Sequence, residues 1–314
     1  MISEKLKENY PLAQLSTFKI GGNAQYFVEL ETRDEVEAAW AWAREHRLPV
    51  TVLGGGSNIL INDDGVKGLV VKVHNSILEF NDEKIVCGAS VQVWDLAEAA
   101  LEKSLSGIEW SIGIPGSMGG AIRGNAGAHG GSFDTVVESV VVYDSEKNCW
   151  QEYLKTDCDF KYRSSRFKTE PHYIIWEALL RLAPSEDKSV MEKAMAEYKN
   201  YRITSQPKEP SAGCIFKNLF ADDVKIASPE LFARAEAEGK IRGGKIGAGY
   251  LIEQLGLKGE ELGGAKISEK HANFIVNANN AKALEVHLLS QKTKQSVRKA
   301  FNIELEEEIQ FIGF

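Results

Sequence analysis

Gly113-Ile114-Pro115-Gly116-Ser117-Met118-Gly119-Gly120-Ala121-Ile122-Arg123-Gly124-Asn125-Ala126-Gly127-Ala128-His129-Gly130-Gly131 is the stretch on which the reading of this chain turns. Eight of its nineteen residues are glycine, and almost none carries a bulky side chain. A chain uses that much glycine where its backbone bends sharply or lies against something that leaves no room for a Cβ. Successive N–H groups in such a loop form a concave donor surface suited to phosphate oxygens. Flexible linkers seldom place Met, Ile, Pro and Ala at packing positions. The stretch therefore reads as a cofactor cradle.

A second cradle candidate lies upstream. Val50-Thr51-Val52-Leu53 reads as a short buried strand running into Gly54-Gly55-Gly56-Ser57-Asn58, with Ile59-Ile61 after it. The turn lacks the Gly-Lys-Ser/Thr ending of a nucleoside-triphosphate loop and is not GxGxxG entering a helix. Taken alone it is equally a tight hairpin.

Around these loops the chain is ordinary in bulk. It has 314 residues, enough for two or three domains, with 43% hydrophobic and 26% charged residues, as in globular proteins. A formal net charge of −8 argues against a general nucleic-acid binder. No apolar run reaches membrane-spanning length, and Met1–Tyr10 lacks the apolar core of a signal peptide. Cys87, Cys149, Cys158 and Cys214 form no CxxC pair and no metal-ligand spacing with histidine, so reduced thiols and no structural metal are expected. A cytoplasmic protein with no membrane partner is the expectation.

Periodicity supplies the elements. Tyr26–Leu30 alternates like a strand, and Asp34–Arg47 reads as a helix with Val36, Ala39, Trp40 and Ala43 on one face. Strands are expected at Gly68–Val73, Lys84–Ala89, Val136–Tyr143, Tyr173–Leu182 and Phe274–Val276. Val93–Lys103 reads as a helix with Leu96, Ala100 and Leu101 inward, and Lys282–Phe301 as a long amphipathic one. Phe160–Phe167 reads as a polar, aromatic loop, Glu186–Arg202 as a solvated hinge helix, and Gly249–Leu255 as a short packing helix that includes Tyr250. Two prolines and Gly213 before a short apolar run place Cys214 where a loop enters a strand.

Together these blocks resemble one family closely, UDP-N-acetylenolpyruvoylglucosamine reductase. The matching pieces are Thr17–Gly22, Leu53–Leu60, Ile112–Gly130, Tyr162–Ser164, Ala212–Asn218, Gly249–Ile252, His271–Asn277 and Glu306–Gly313, in the family's order over nearly the whole chain. The resemblance implies an α+β chain. A two-subdomain FAD-binding fold of the vanillyl-alcohol-oxidase (PCMH) type, residues 1–72 and 73–200, precedes a C-terminal α+β substrate-binding domain, residues 201–314, whose tail returns to the active site. It further implies that Gly54, Gly55, Gly56, Ser57 and Asn58 surround a noncovalently held FAD. They are joined there by Ser117, Met118, Gly119, Gly120, Ala121, Gly124, Asn125, Ala126 and Gly127, with Arg202 near the flavin.

The implied reaction passes a hydride from NADPH to FAD, then from flavin N5 to C3 of the enolpyruvyl group of UDP-N-acetylglucosamine enolpyruvate, with a proton delivered to C2. Arg163 would bind the substrate carboxylate and stabilise the developing negative charge. Glu308 matches the family's second catalytic residue and would be protonated or hydrogen-bonded beside that carboxylate; Glu306 and Glu307 read as a solvated acidic run. Many members carry serine as the proton donor where this chain has Cys214; a thiol, ordinarily with a pKa of about 8.5, is intrinsically a far better acid than an alcohol. Tyr162, Lys217, Asn218 and His271 resemble substrate-binding positions, with Asn273 on the same block as His271. The interval from Trp176 to Arg202 has no room for the extra tyrosine-bearing loop of one subgroup, so the chain resembles the shorter subgroup. A monomer acting on a small molecule is expected. An oxidase on the same scaffold and a noncatalytic flavin or sugar-nucleotide binder are the competing readings.

Overall fold

The helix expected over Asp34–Arg47 spans Arg33–Glu45. Thr32 caps it, its hydroxyl accepting from the Glu35 N–H at 3.2 Å, and the Glu35 carboxylate accepts in turn from the Glu31 N–H at 2.7 Å. Two backbone donors are thereby satisfied at the helix entrance. Val36, Ala39, Trp40 and Ala43 form its buried face and pack with Val28, Leu30, Leu69, Val71 and Val73. These come from the middle of a four-stranded sheet ordered Lys7–Pro11, Asn23–Leu30, Val66–Val73, Val50–Leu53. The last two strands run parallel, Leu53 opposite Lys72, so the glycine turn leaves from the C-terminal end of a parallel strand.

The computed structural model describes residues 2–314 and divides into two units. The first runs to Tyr10 and includes Ala24–Gly55 and Lys67–Thr204; the second comprises Pro11–Asn23, Gly56–Val66 and Ser205–Phe314. The first 72 residues therefore contribute to both units.

The first unit adds a five-stranded antiparallel sheet ordered Cys149–Leu154, Val137–Asp144, Tyr173–Arg181, Lys84–Gly88, Leu78–Asn81. Its β-branched residues Val140, Val142, Ile174 and Ile175 join the same core as the first sheet. The helix Val93–Glu102 buries Val93, Leu96, Ala97 and Ala100. Leu101, expected inward, is half-buried and packs instead in a small cluster of Ala97, Ile112 and Met195. The helix read as a solvated hinge spans Lys188–Ser205, buries Met191 and Met195, and belongs to the first unit as far as Thr204. Phe160–Phe167 is not loop throughout, because a short helix, Arg166–Thr169, begins within it and buries Phe167.

The second unit is built on the antiparallel order Ser211–Cys214, Phe274–Asn277, Ala265–Ile267, Glu261–Leu262. The helix Ala283–Phe301 lays Val286, Leu289 and Val297 into the core and ends at Asn302 in the left-handed conformation, φ 55. Its entrance is tied by the Glu285 carboxylate, which accepts from the Lys282 N–H at 2.9 Å and the Gly264 N–H at 2.9 Å. Gln310–Ile312 runs parallel to Ile59–Ile61, Phe311 opposite Leu60. Among the described residues no helix is long and apolar enough to cross a membrane.

Candidate active site

In the first unit Gly54 and Gly55, which open one glycine stretch, lie against the other. Ser117 Oγ accepts from the Gly55 N–H at 3.1 Å, and a Cβ on Gly55 would stand 2.6 Å from Gly116 Cα and 2.7 Å from Ser117 N. Only a residue without a side chain permits that approach. Beyond Ser117 the stretch is a short helix, Met118–Arg123, rather than open loop. Several N–H groups expected to face a ligand are consequently engaged within the protein. Met118 donates to Val91 O at 2.9 Å, Gly119 to Ala89 O at 2.9 Å, Ala121 to Ser117 O at 2.9 Å, and Ala126 to Ala121 O at 2.8 Å. The helix leaves one edge bare: a Cβ on Gly120 or Gly124, one turn apart, would meet nothing nearer than 3.8 or 3.5 Å.

Arg163 is fastened to the same stretch. Lys161 and Ser164 exchange backbone hydrogen bonds of 3.0 and 3.1 Å, closing a two-residue turn of Tyr162 and Arg163, with Arg163 in the left-handed region at φ 56. An arginine there is held by its surroundings rather than by its own preference. Asn125 supplies one tether, its Nδ2 donating to Lys161 O at 3.1 Å while its Oδ1 accepts from the Asp134 N–H at 3.0 Å. Ser165 supplies another, its hydroxyl donating to Arg123 O at 2.8 Å. The glycine helix thus sets where Arg163 stands. Its guanidinium carbon lies 5.6 Å from the centre of the Tyr162 ring.

Arg202 lies against the opening of the stretch, where a Cβ on Gly113 would be 3.0 Å from Arg202 Cδ. At the other end His129 stacks on Tyr198, centroids 4.3 Å apart and planes 21° apart. Burial, and after it the charge of Arg202, push the His129 imidazole below its ordinary value. Arg123, which sequence reasoning passed over, is a guanidinium whose pKa burial lowers; nothing in its i, i+4 pattern marks it.

In the second unit Cys214 and Glu308 come onto adjacent segments. The Glu308 N–H donates to Ile215 O at 2.7 Å and the Lys217 N–H to Glu306 O at 2.9 Å, around a bridge of Phe216 with Glu307. Asn58 grips the same tail, its Nδ2 donating to Glu308 O at 3.0 Å and its carbonyl accepting from the Gln310 N–H at 3.0 Å. Cys214 is half-buried and is the last residue of its strand, opposite Phe274. The strand therefore precedes Cys214 instead of following it, since Ser211 and Cys214 pair with Val276 and Phe274 while Ile215 and Phe216 turn into the core. Lys217 pairs with Glu306, and Asn218 Oδ1 accepts from the Ala248 N–H at 3.3 Å. His271 Nδ1 accepts from the Asn273 N–H at 3.2 Å, and burial lowers the pKa of this imidazole. Arg163 and Arg202 belong to the first unit, and Cys214, Lys217, Asn218, His271 and Glu308 to the second.

Glu307 is not part of a solvated acidic run. Its carboxylate receives Lys294 Nζ at 3.0 and 2.9 Å and Gln291 Nε2 at 3.0 Å, with both charged side chains only 19% exposed. Burial alone would raise the Glu307 pKa, but Lys294 and the other hydrogen bonds outweigh it and hold the carboxyl below its ordinary value. A carboxylate depressed by folding stabilises the fold above the ordinary glutamate range and loses that contribution as pH falls through the depressed value. Lys294→Met should therefore lower stability by about 2 kcal/mol at neutral pH, with the deficit closing as the pH is taken below the glutamate range. Urea titrations of both proteins across pH measure it; a deficit constant down to strong acid would contradict it.

Comparison with known proteins accounts for both units. A family model described as FAD binding domain matches residues 24–146, and one described as UDP-N-acetylenolpyruvoylglucosamine reductase, C-terminal domain, matches residues 206–312. The reductase of that name from Carboxydothermus hydrogenoformans is 38% identical over 99% of this chain and 95% of its own. That from Synechococcus sp. strain JA-3-3Ab is 37% identical over 99% and 93%, and that from Bacillus subtilis strain 168 is 34% identical over 98% and 94%. The crystal structure of the Thermus caldophilus reductase superposes with a TM-score of 0.77 at 31% identity, covering 96% of this chain and 97% of that one. Full-length identity well above 30%, together with the two matched domains in order, means that this chain, an FAD-binding oxidoreductase, belongs to the UDP-N-acetylenolpyruvoylglucosamine reductase family.

Proposed function

We propose that the protein reduces the enolpyruvyl ether of UDP-N-acetylglucosamine enolpyruvate to UDP-N-acetylmuramate, a peptidoglycan precursor, in the cytoplasm, with NADPH as the source of the hydride. The observation that carries this reading is the hydrogen bond from the Glu308 N–H to the carbonyl of Ile215, the residue after Cys214, which joins two segments far apart in the chain. It gives the C-terminal domain a thiol and a carboxyl on neighbouring segments, one able to donate the proton to an enolate-like carbon and the other to hydrogen-bond the adjacent carboxylate.

The residues present fit FAD. The bare Gly120–Gly124 edge would take a flat ring system without displacing a side chain. The half-buried Arg123 charge at the end of that helix suits an anionic diphosphate. Because Met118, Gly119, Ala121 and Ala126 spend their N–H groups on protein carbonyls, the remaining backbone of Gly54–Asn58 and Ser117–Gly127, with Arg202 at its entrance, would hold the diphosphate and ring. When bound, FAD carries the hydride between NADPH and substrate.

The protein's own groups supply position and electrostatics. Arg163, fixed by its turn, presents a planar fork to the substrate carboxylate and offsets the negative charge that develops on it and on C2. Cys214 donates its proton to C2, and its thiolate is reprotonated from solvent. Glu308 acts as a hydrogen-bond donor beside the carboxylate, which requires it to be protonated. Tyr162, Lys217, Asn218 and His271 would contact the sugar nucleotide, as the family resemblance implies. All these residues come from one chain, so the reading needs no second subunit. The test is anaerobic: NADPH should bleach the yellow protein, and UDP-N-acetylglucosamine enolpyruvate should restore the colour stoichiometrically. Bleaching without recovery would sink the substrate assignment, and recovery only by oxygen would favour an oxidase.

A further inference from the structure

We propose that Asn273 is a positioning residue for the proton transfer, a side chain that locks the segment between Cys214 and Glu308 without touching substrate. The inference rests on the proton-donor reading of Cys214.

Asn273 is 1% exposed and sits just before the strand Phe274–Asn277. Its Oδ1 accepts from the Phe216 N–H at 3.0 Å and its Nδ2 donates to Phe216 O at 2.8 Å. Its own carbonyl accepts from the Ile215 N–H at 2.8 Å. One residue thus satisfies three main-chain groups on the two residues that follow the thiol.

The physical need is visible in the register. Cys214 pairs with Phe274, after an irregularity at Ala212–Gly213 where the two strands lose step. Past Cys214 the ladder stops, yet Ile215 and Phe216 are 0% and 1% exposed and cannot satisfy their backbone with water. The Asn273 amide replaces the missing strand, offering one acceptor and one donor at the spacing of a peptide group. Its orientation is fixed, because an N–H and a C=O of one residue face its two ends.

Ile215 is held from both sides: its N–H by Asn273 and its C=O by the Glu308 N–H. The clamp is therefore common to the thiol segment and the carboxyl segment. His271 fixes the clamp itself, accepting the Asn273 N–H on Nδ1, which places the proton of the neutral ring on Nε2. Loosening Asn273 moves Cys214 relative to Glu308 while leaving both side chains in the protein. A misplacement on the order of 1 Å costs as much as about 100-fold in a reacting geometry.

The experiment compares Asn273→Asp, Asn273→Ala and Cys214→Ala in the holoenzyme by anaerobic stopped flow, and the same proteins stripped of flavin by amide exchange. Asn273→Asp keeps the size and the acceptor but turns an oxygen toward Phe216 O, so it tests the clamp even if the alanine variant does not fold. Both Asn273 variants are expected to be bleached by NADPH at the parental rate and to be reoxidised by substrate about 10- to 100-fold more slowly, with kcat falling and KM nearly unchanged. In the flavin-free protein the Phe216 amide should exchange at least about tenfold faster, while amides of the Ala283–Phe301 helix keep their protection. A folded variant with fast Phe216 exchange and parental reoxidation would overturn the proposal while leaving the Cys214 assignment intact, provided Cys214→Ala is slow. If Cys214→Ala itself reoxidised at the parental rate, the proton-donor reading would fail and the positioning role with it. Equal slowing of bleaching and reoxidation would also overturn it, as the mark of a general structural defect.

Discussion

Cys214→Ala is expected to leave NADPH-driven bleaching intact and to slow substrate-driven recovery of colour by about 10²- to 10⁴-fold, the range a positioned acid contributes. The selectivity follows from the proposed role, since only the second half of the reaction needs a proton at carbon. Cys214→Ser should fall in between, because it keeps a donor of the same reach but a far weaker acid than a thiol of ordinary pKa near ~8.5. Two of the other thiols do not substitute. Cys87 and Cys158 are buried, and burial pushes the Cys87 pKa well up and that of Cys158 up to about 12, so neither presents a reactive sulfur. Separate stopped-flow traces for the two half-reactions decide the matter, and parental recovery in Cys214→Ala would remove the thiol from the mechanism.

The second large effect is expected at Gly55. An alanine there places a methyl 2.6 Å from Gly116 Cα and 2.7 Å from Ser117 N, where the three nearest atoms are all backbone and cannot rotate away. The two glycine stretches must part, and the Ser117 hydroxyl loses the Gly55 N–H it accepts at 3.1 Å. Overpacking of this kind costs about 1–3 kcal/mol or more. The larger consequence is functional: Gly55→Ala should purify with less than about a tenth of the parental flavin, a loss of about 1.4 kcal/mol or more in binding. Absorbance of the purified protein at flavin and protein wavelengths measures this directly. Full flavin content in Gly55→Ala would show that the contact between the stretches is unrelated to the cofactor. Gly120→Ala is the control for volume, since a methyl there meets nothing within 3.8 Å in the protein; loss of flavin in that variant would place the ligand on the bare edge.

Much of this architecture is legible in the residues, for physical reasons that also explain the rest. Val36, Ala39, Trp40 and Ala43 announce their helix because a single face is buried at a period near 3.6. The edge strands Leu78–Asn81 and Cys149–Leu154 escape notice because no residue of either is fully buried, which erases the alternation. Ala221–Ala227 and Pro229–Ala237 escape likewise, each short helix burying only two residues. At the site, the glycine stretch advertises close backbone approach but not that a helix starts at Met118 and consumes donors. Glu307 looks solvated beside Glu306 and Glu308 because its partner Lys294 lies on another element, and no local spacing reveals a tertiary ion pair. Asn273 is singled out by its block, but its role is invisible for the same reason: an amide standing in for a strand has meaning only once the strand is seen to stop.

Gln310–Ile312 lies beside Ile59–Ile61 as a parallel partner, and that pairing has a consequence for biogenesis. A strand made early in translation must wait for residues translated some two hundred and fifty positions later before its hydrogen-bonding edge is covered, so a nascent chain carries Ile59–Ile61 as an open, wholly apolar edge. A stop codon at position 306 would remove Glu308 and that cover together. Such a product would be prone to clumping, which makes the segment Glu306–Ile312 a checkpoint on assembly as well as, on the proposed mechanism, on chemistry.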